Sequence, residues 1–333
     1  MTHDPVRAIA DAVLYEGYIL WPYRRSALKN QRRFTFGGVY PPAHSAEHPD
    51  DPATMRTEVL IVGSVQTRVR VTLRFLQVVR RAVAQQLGDV FNEVDELTVD
   101  GERYTSWQEA REREVDAASA TLGDLAGAPS RVPIEIAAGT EVEELPGGAA
   151  GLIRSWEDLR GELHVAAARV NDDDAWRVRV RIENATPFDG GDRERALAHT
   201  FCSTHTLLRS HDGAFVSQAD PPQRLAEAAA KCRNVGTWPV LVGEPDDRTT
   251  VLSSPIILED YPRVAPESPG DLFDGGEIDG LLVLNILSLT DEEKAEMAAS
   301  DPRAKEILER SEALTPEQLM VLHGTVREFG MAR

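Results

Sequence analysis

The 333-residue chain reads as an α+β protein, predominantly antiparallel β in sandwich or meander sheets, with a helical C-terminal tail. Two alternating runs and one turn carry that expectation. From Arg68 to Phe75, Arg68, Arg70, Thr72 and Arg74 alternate with Val69, Val71, Leu73 and Phe75, and a period of two sends polar and apolar side chains to opposite faces of a strand. The run from Trp176 to Ile182 repeats the pattern with arginine and valine. Asp100-Gly101, between Leu97–Val99 and Arg103–Thr105, is the residue pair favoured by a tight hairpin turn.

The remaining elements follow in order. Ala10 to Tyr40, rich in aromatic residues, predicts a strand, a basic turn or short helix, and a second strand. Pro41 to Thr54 predicts a mobile loop, because proline cannot donate to a sheet ladder. Thr57 to Val62 predicts a strand, and Ser106 to Leu122 an exposed helix, since Ser106 followed by Glu109 matches a capping box ahead of Ala, Glu and Arg. Val132 to Ile136 predicts a short strand. Glu162 to Val170 and Trp176 to Glu183 predict two strands about a polar turn, and Leu197 to Arg209 with Ala214 to Val216 a hairpin. Pro222 to Cys232 predicts a short helix, Trp238 to Val242 and Thr249 to Leu258 strands, and the apolar run Gly280 to Leu287 a buried strand. Thr290 and Thr315-Pro316 each begin a tail helix. The organisation expected is an N-terminal β-rich region with one exposed helix over 1–125, a linker or boundary over 126–160 where Gly and Pro concentrate, a second β-rich region over 161–289, and a helical tail over 290–333. The two β regions are compatible with one shared core.

Composition narrows the partners. Hydrophobic residues form 42% of the chain and charged residues 27%, the balance of a chain able to build a core. A net charge of −19 repels polyphosphate and anionic membrane surfaces, so nucleic acid is not an expected partner. No apolar run reaches the roughly 18 residues of a membrane-spanning helix, and membrane insertion is not expected. Two cysteines, Cys202 and Cys232, and no basic-apolar leader at Met1 to Ala12 predict a cytoplasmic setting.

Sites of chemistry are sparse. His199, Cys202 and His205 carry metal-ligand atoms within seven residues, but on one strand Cys202 faces away from both histidines. His44 and His48 sit in the Pro/Asp-rich loop without a third ligand. Asp271, Asp274, Glu277 and Asp279 lie among glycines without the spacing of a calcium loop. Neither a Gly-x-Ser-x-Gly elbow nor a phosphate-binding glycine loop occurs. The most distinctive stretch is basic and aromatic: Trp21, Tyr23, Arg24, Arg25, Lys29, Arg32, Arg33 and Phe34 combine guanidinium forks with aromatic anchors, the residue types that bind an acidic protein surface.

Three stretches carry a resemblance. They are Asp11 to Asn30 with Phe34 to Gly37, Arg233 to Gly243, and Leu252 to Pro262 continuing through Ala265 to Asp274. In these the chain resembles a family of uncharacterised proteins encoded beside uptake nickel-iron hydrogenases of the actinobacterial type. His205, within Ser203 to Thr206, fits that family's pattern, whereas His199 and Cys202 do not. The resemblance implies a link to hydrogenase production and no activity, cofactor or catalytic residue. The expectation is therefore a non-catalytic accessory or assembly factor that contacts a hydrogenase subunit or maturation protein. The alternatives are a metal-dependent enzyme or metal handler using His205, Asp271 and Asp274, with nickel, iron or zinc as the open choices though no cofactor is expected, and a structural homo-oligomer.

Overall fold

A computed structural model describes residues 5–18, 33–87, 90–170, 174–263, 283 and 285–315. Antiparallel sheets dominate it, as expected, and helices close its C-terminal part. One sheet has the order β13-β1-β11-β10-β7, formed by Ala214–Phe215, Thr54–Val62, Ala175–Asn184, Leu159–Arg169 and Ser130–Ile136. The other runs β14-β15-β12-β2-β9-β8, from Trp238–Leu241, Thr250–Ser254, Cys202–Ser210, Arg68–Leu87, Ala150–Trp156 and Gly139–Glu144. Strands β3 (Val90–Val94) and β6 (Trp107–Thr121) also pair with β2, and β4 (Glu96–Val99) pairs with β5 (Glu102–Thr105). Asp100 and Gly101 turn that last hairpin with φ of 50° and 85°, the backbone that the Asp-Gly pair predicts.

The two large sheets share one core. Val59, Ile61, Leu163, Val178 and Val180 of the first sheet pack with Val69, Val71, Leu73, Phe75 and Leu208 of the second. The alternation in β2 thus does what its sequence implies: the odd-numbered residues fill the core and Arg70, Thr72 and Arg74 take the opposite face. That opposite face is covered by terminal helices. Leu76, Val78 and Cys202 pack there with Leu14 and Tyr15 of α1 (Pro5–Tyr15), and with Met297, Ile307 and Leu308 of a C-terminal helix pair. Short helices α2 (Pro42–Glu47), α3 (Leu122–Gly127), α4 (Arg193–Leu197) and α5 (Ala226–Ala230) lie between strands; α6 (Asp291–Ser300) and α7 (Pro302–Glu312) form the pair. Thr290 and Glu293 form the capping box of α6, as their spacing predicts. Among the described residues no helix is long and apolar enough to cross a membrane.

Several elements differ from the sequence reading. Residues 10–15, where a strand was expected to begin, belong to the helix Pro5–Tyr15, because Ile9, Ala10, Val13 and Leu14 recur at helical spacing and all four are buried. The expected loop 41–54 contains α2, held by buried His44, whose Nε2 lies 3.0 Å from Asp51 Oδ2. Residues 107–121 form a strand, since β6 pairs along nearly its whole length with β2. Ser210 to Gly213 is no hairpin: β12 belongs to one sheet and β13 to the other, so the chain crosses the sandwich there. Residue 283 and residues 285–287 are helical, where a buried strand was expected. The helix expected from Thr315-Pro316 lies outside the described residues beyond residue 315.

Gly161 shows how tightly the sheets close. A Cβ there would meet the Glu183 carbonyl oxygen and come within 2.8 Å of the Phe201 ring, so Gly161→Ala is expected to cost about 1–3 kcal/mol through overpacking. Urea denaturation checks it, with a lowered midpoint at unchanged slope.

Candidate functional site

Most of the basic, aromatic segment lies outside the described residues, and Tyr18 and Arg33 are the described residues on either side of it. These two residues are bonded to each other: Arg33 Nε donates to the Tyr18 carbonyl at 2.8 Å. Arg33 Nη1 donates to the Gln108 carbonyl of β6 at 2.7 Å. The guanidinium lies between rings, its Cζ 4.2 Å from the Trp107 centroid, 4.6 Å from Tyr18 and 5.0 Å from Phe34. Burial pulls its pKa down, opposed by Tyr18 and Asp301. A buried cation held by carbonyls and ring faces is thus the anchor of the segment.

Its neighbours fix the anchor to three elements. Tyr18 Oη donates to Asp301 Oδ2 at 2.6 Å, and the other oxygen of Asp301 caps α7 by accepting from Arg303 N at 2.9 Å. Burial raises the pKa of the Asp301 carboxyl, against the hydrogen bonds from Tyr18 and Arg303. Phe34 is buried and adopts φ of 55°, a left-handed backbone that costs a bulky residue roughly 1–2 kcal/mol. Arg193 of α4 holds it there, bonding the Arg33 carbonyl at 3.2 Å and the Phe34 carbonyl at 3.1 Å. Backbone strain retained by surrounding contacts is a mark of functional segments.

Arg81 extends the network. It donates to the Thr105 carbonyl from Nε and Nη2, and to the Ala299 and Ser300 carbonyls at the end of α6. Its Nη1 bonds Glu109 Oε1 at 2.8 Å, and Glu109 Oε2 accepts from Arg154 at 2.7 Å. Beside these residues opens a cavity of about 1170 Å³, walled in part by Arg33, Arg80, Arg193, Trp107 and Trp156.

Of the partner-binding residues expected from sequence, Trp21, Tyr23, Arg24, Arg25, Lys29 and Arg32 lie outside the described residues. Arg33 and Phe34 are described and buried, at 5% and 4% exposure, so they support the segment rather than present a surface. Tyr18, Trp107, Arg193 and Asp301 were not singled out as site residues by sequence, whereas Arg81 was one of the basic residues noted in the first third of the chain. Arg80-Arg81 carried a signal: adjacent residues of a strand face opposite ways, so one arginine of the pair had to enter a packed side.

Of the metal candidates His205, Asp271 and Asp274, only His205 is described. His205 is fully buried; its Nδ1 lies 3.1 Å from the Ser203 carbonyl and its Nε2 has no partner. Burial, aided by Arg74, pushes its pKa down to about 3, so the imidazole is neutral. Asp271 and Asp274 lie outside the described residues. Among the described residues no three His, Cys, Asp or Glu side chains are grouped to hold a metal ion. His199 sits in the turn before β12, off the strand on which it was placed, and a register shift with Ser203 at φ 49° separates Cys202 from His205. Burial drives the Cys202 thiol up to about 12, which holds it protonated and unreactive at neutral pH.

Compared with known proteins, the chain matches no family model and no curated protein.

Proposed function

We propose that this chain is a non-catalytic accessory or assembly factor in the production of a nickel-iron hydrogenase, working in the cytoplasm by contact with a hydrogenase subunit or maturation protein. The observation that carries the contact reading is the anchor. Tyr18 and Arg33 flank most of a stretch that combines arginine with aromatic residues, types that dominate interfaces, and the fold commits a buried cation, a strained Phe34 and a dedicated Arg193 to this pair. Two described side chains that sequence offered for chemistry are enclosed: His205 is neutral and buried, and Cys202 stays protonated. The hydrogenase setting itself comes from the resemblance of the three stretches.

Deletion of the gene in a hydrogenase-expressing host tests this reading. Hydrogen uptake should fall while hydrogenase transcripts stay level, and return when the chain is supplied in trans. Unchanged uptake in the deletion strain would contradict it.

A further inference from the structure

Three aspartates of the described residues precede glycine: Asp100, Asp189 and Asp212. Glycine has no side chain to crowd its backbone nitrogen, so in an Asp-Gly pair that nitrogen can reach the carboxyl of the aspartate before it. The fold treats the three pairs differently. At Asp212 the carboxylate accepts from Arg68 N, Gly213 N donates to Ser210 Oγ, and a Cβ on Gly213 would come within 2.6 Å of Thr67 and 2.8 Å of Ile61. At Asp189 the carboxylate accepts from Arg195 at 2.6 Å. At Asp100 neither group is held: among the described residues no donor reaches the carboxylate and no acceptor takes the Gly101 N–H. Space around Gly101 is open, since a Cβ there would meet nothing within 4 Å. Both residues lie at the exposed tip of the β4-β5 hairpin, whose ladder consists of those two strands alone, and short two-stranded ladders open locally at low cost.

We propose that Asp100 is a site of spontaneous isomerisation to isoaspartate, a covalent modification that the fold favours at this turn over the other two described Asp-Gly pairs. Gly101 N attacks Asp100 Cγ. The N–Cγ bond forms, the Cγ–OH bond of the protonated carboxyl breaks, and water leaves with the amide proton, giving a cyclic succinimide. Water then adds at the α-carbonyl carbon and the original peptide C–N bond breaks, so the main chain runs through Cβ and Cγ and the α-carboxylate becomes the pendant group. The water released in the first step is matched by the water consumed in the second, and no oxidant or other reactant enters. The product lengthens the turn by one backbone atom and removes the paired φ values of 50° and 85° that align Val99 with Glu102. Glu102 accepts from Lys305 of α7 at 2.7 Å, so the change reaches the helix pair that the hairpin supports.

The test ages the full chain in neutral buffer at physiological temperature and reads isoaspartate at each position by proteolysis and electron-transfer mass spectrometry. Asp100 should convert at least about tenfold faster than Asp212, where two hydrogen bonds must break before the ring closes, and faster than Asp189. In urea the three sites should converge, because the difference comes from the fold. Asp100→Asn should lose ammonia through the same ring faster than Asp100 loses water, and Asp100→Glu should abolish the product at this position. In the isomerised protein the amides of β4 and β5 should exchange faster than in fresh protein. No isoaspartate at Asp100 in the aged chain, conversion at Asp212 as fast as at Asp100, a difference that persists in urea, or an Asp100→Asn variant that keeps its amide would overturn the proposal.

Discussion

Arg81→Ala is expected to destabilise the protein by roughly 3–5 kcal/mol, the cost of breaking a buried, hydrogen-bonded ion pair from one side. Arg81 is 6% exposed. Its removal strips donors from the Thr105, Ala299 and Ser300 carbonyls and leaves Glu109 with Arg154 alone. The loss should be uneven, since Arg81 ties the end of α6 to β5. Amides of α6 and α7 should exchange faster than those of β1 and β11. The adjacent Arg80→Ala is the control, because its ion pair with Glu93 is half in water and worth about 0–1 kcal/mol. Urea denaturation with hydrogen exchange reads both, and a loss under about 1 kcal/mol for Arg81→Ala would remove the residue from its assigned role.

Acid should weaken the fold through His205. Its folded pKa of about 3 lies below the ordinary 6.5, so between those values the unfolded chain binds the extra proton. Stability contributed by the neutral, buried imidazole is complete above pH 6.5 and is lost as pH falls toward 3, roughly 2 kcal/mol of it by about pH 5. Arg74, whose buried guanidinium faces His205 across the β2-β12 register, adds to the cost of a second positive charge. Asp301 acts in the opposite sense: its carboxyl pKa is raised by burial, so its contribution declines as pH rises from the ordinary carboxylate value through the raised one. His205→Asn separates the two, because an amide can still donate to the Ser203 carbonyl but does not titrate. The variant should be less stable at neutral pH and show a flatter decline toward acid. Parallel pH profiles for the two proteins would contradict the assignment.

The sheets were legible where a strand has one wet face and one dry face, as in β2 and β11. They were not legible in β6. Residues 107–121 combine a capping signature with helix-forming Ala, Glu and Arg, yet no helical face of large apolar side chains exists there for a helix to bury. What fixes the segment as a strand is its partner: Asp116 bonds Arg70 and Thr72, and Glu112 and Glu114 meet Arg74, all across the β2-β6 register. Acid-for-arginine matching between segments some forty residues apart is invisible to a local window, and tertiary pairing overrides propensity. The same holds at the site. Tyr18, Trp107, Arg193 and Asp301 acquire roles because the fold gathers distant stretches around Arg33, whereas the sequence displayed the basic run without its anchor.

Affinity capture compares the intact chain with a variant carrying Trp21→Ala, Tyr23→Ala, Arg24→Ser and Arg25→Ser, both purified from a hydrogenase-expressing host at matched folded concentration. The intact chain should recover a hydrogenase subunit or maturation protein, and the variant should recover at least about tenfold less, as expected when interface anchors are removed. Equal recovery by both, or no hydrogenase-related protein with either, would contradict an account in which this molecule works by contact through its aromatic and basic segment.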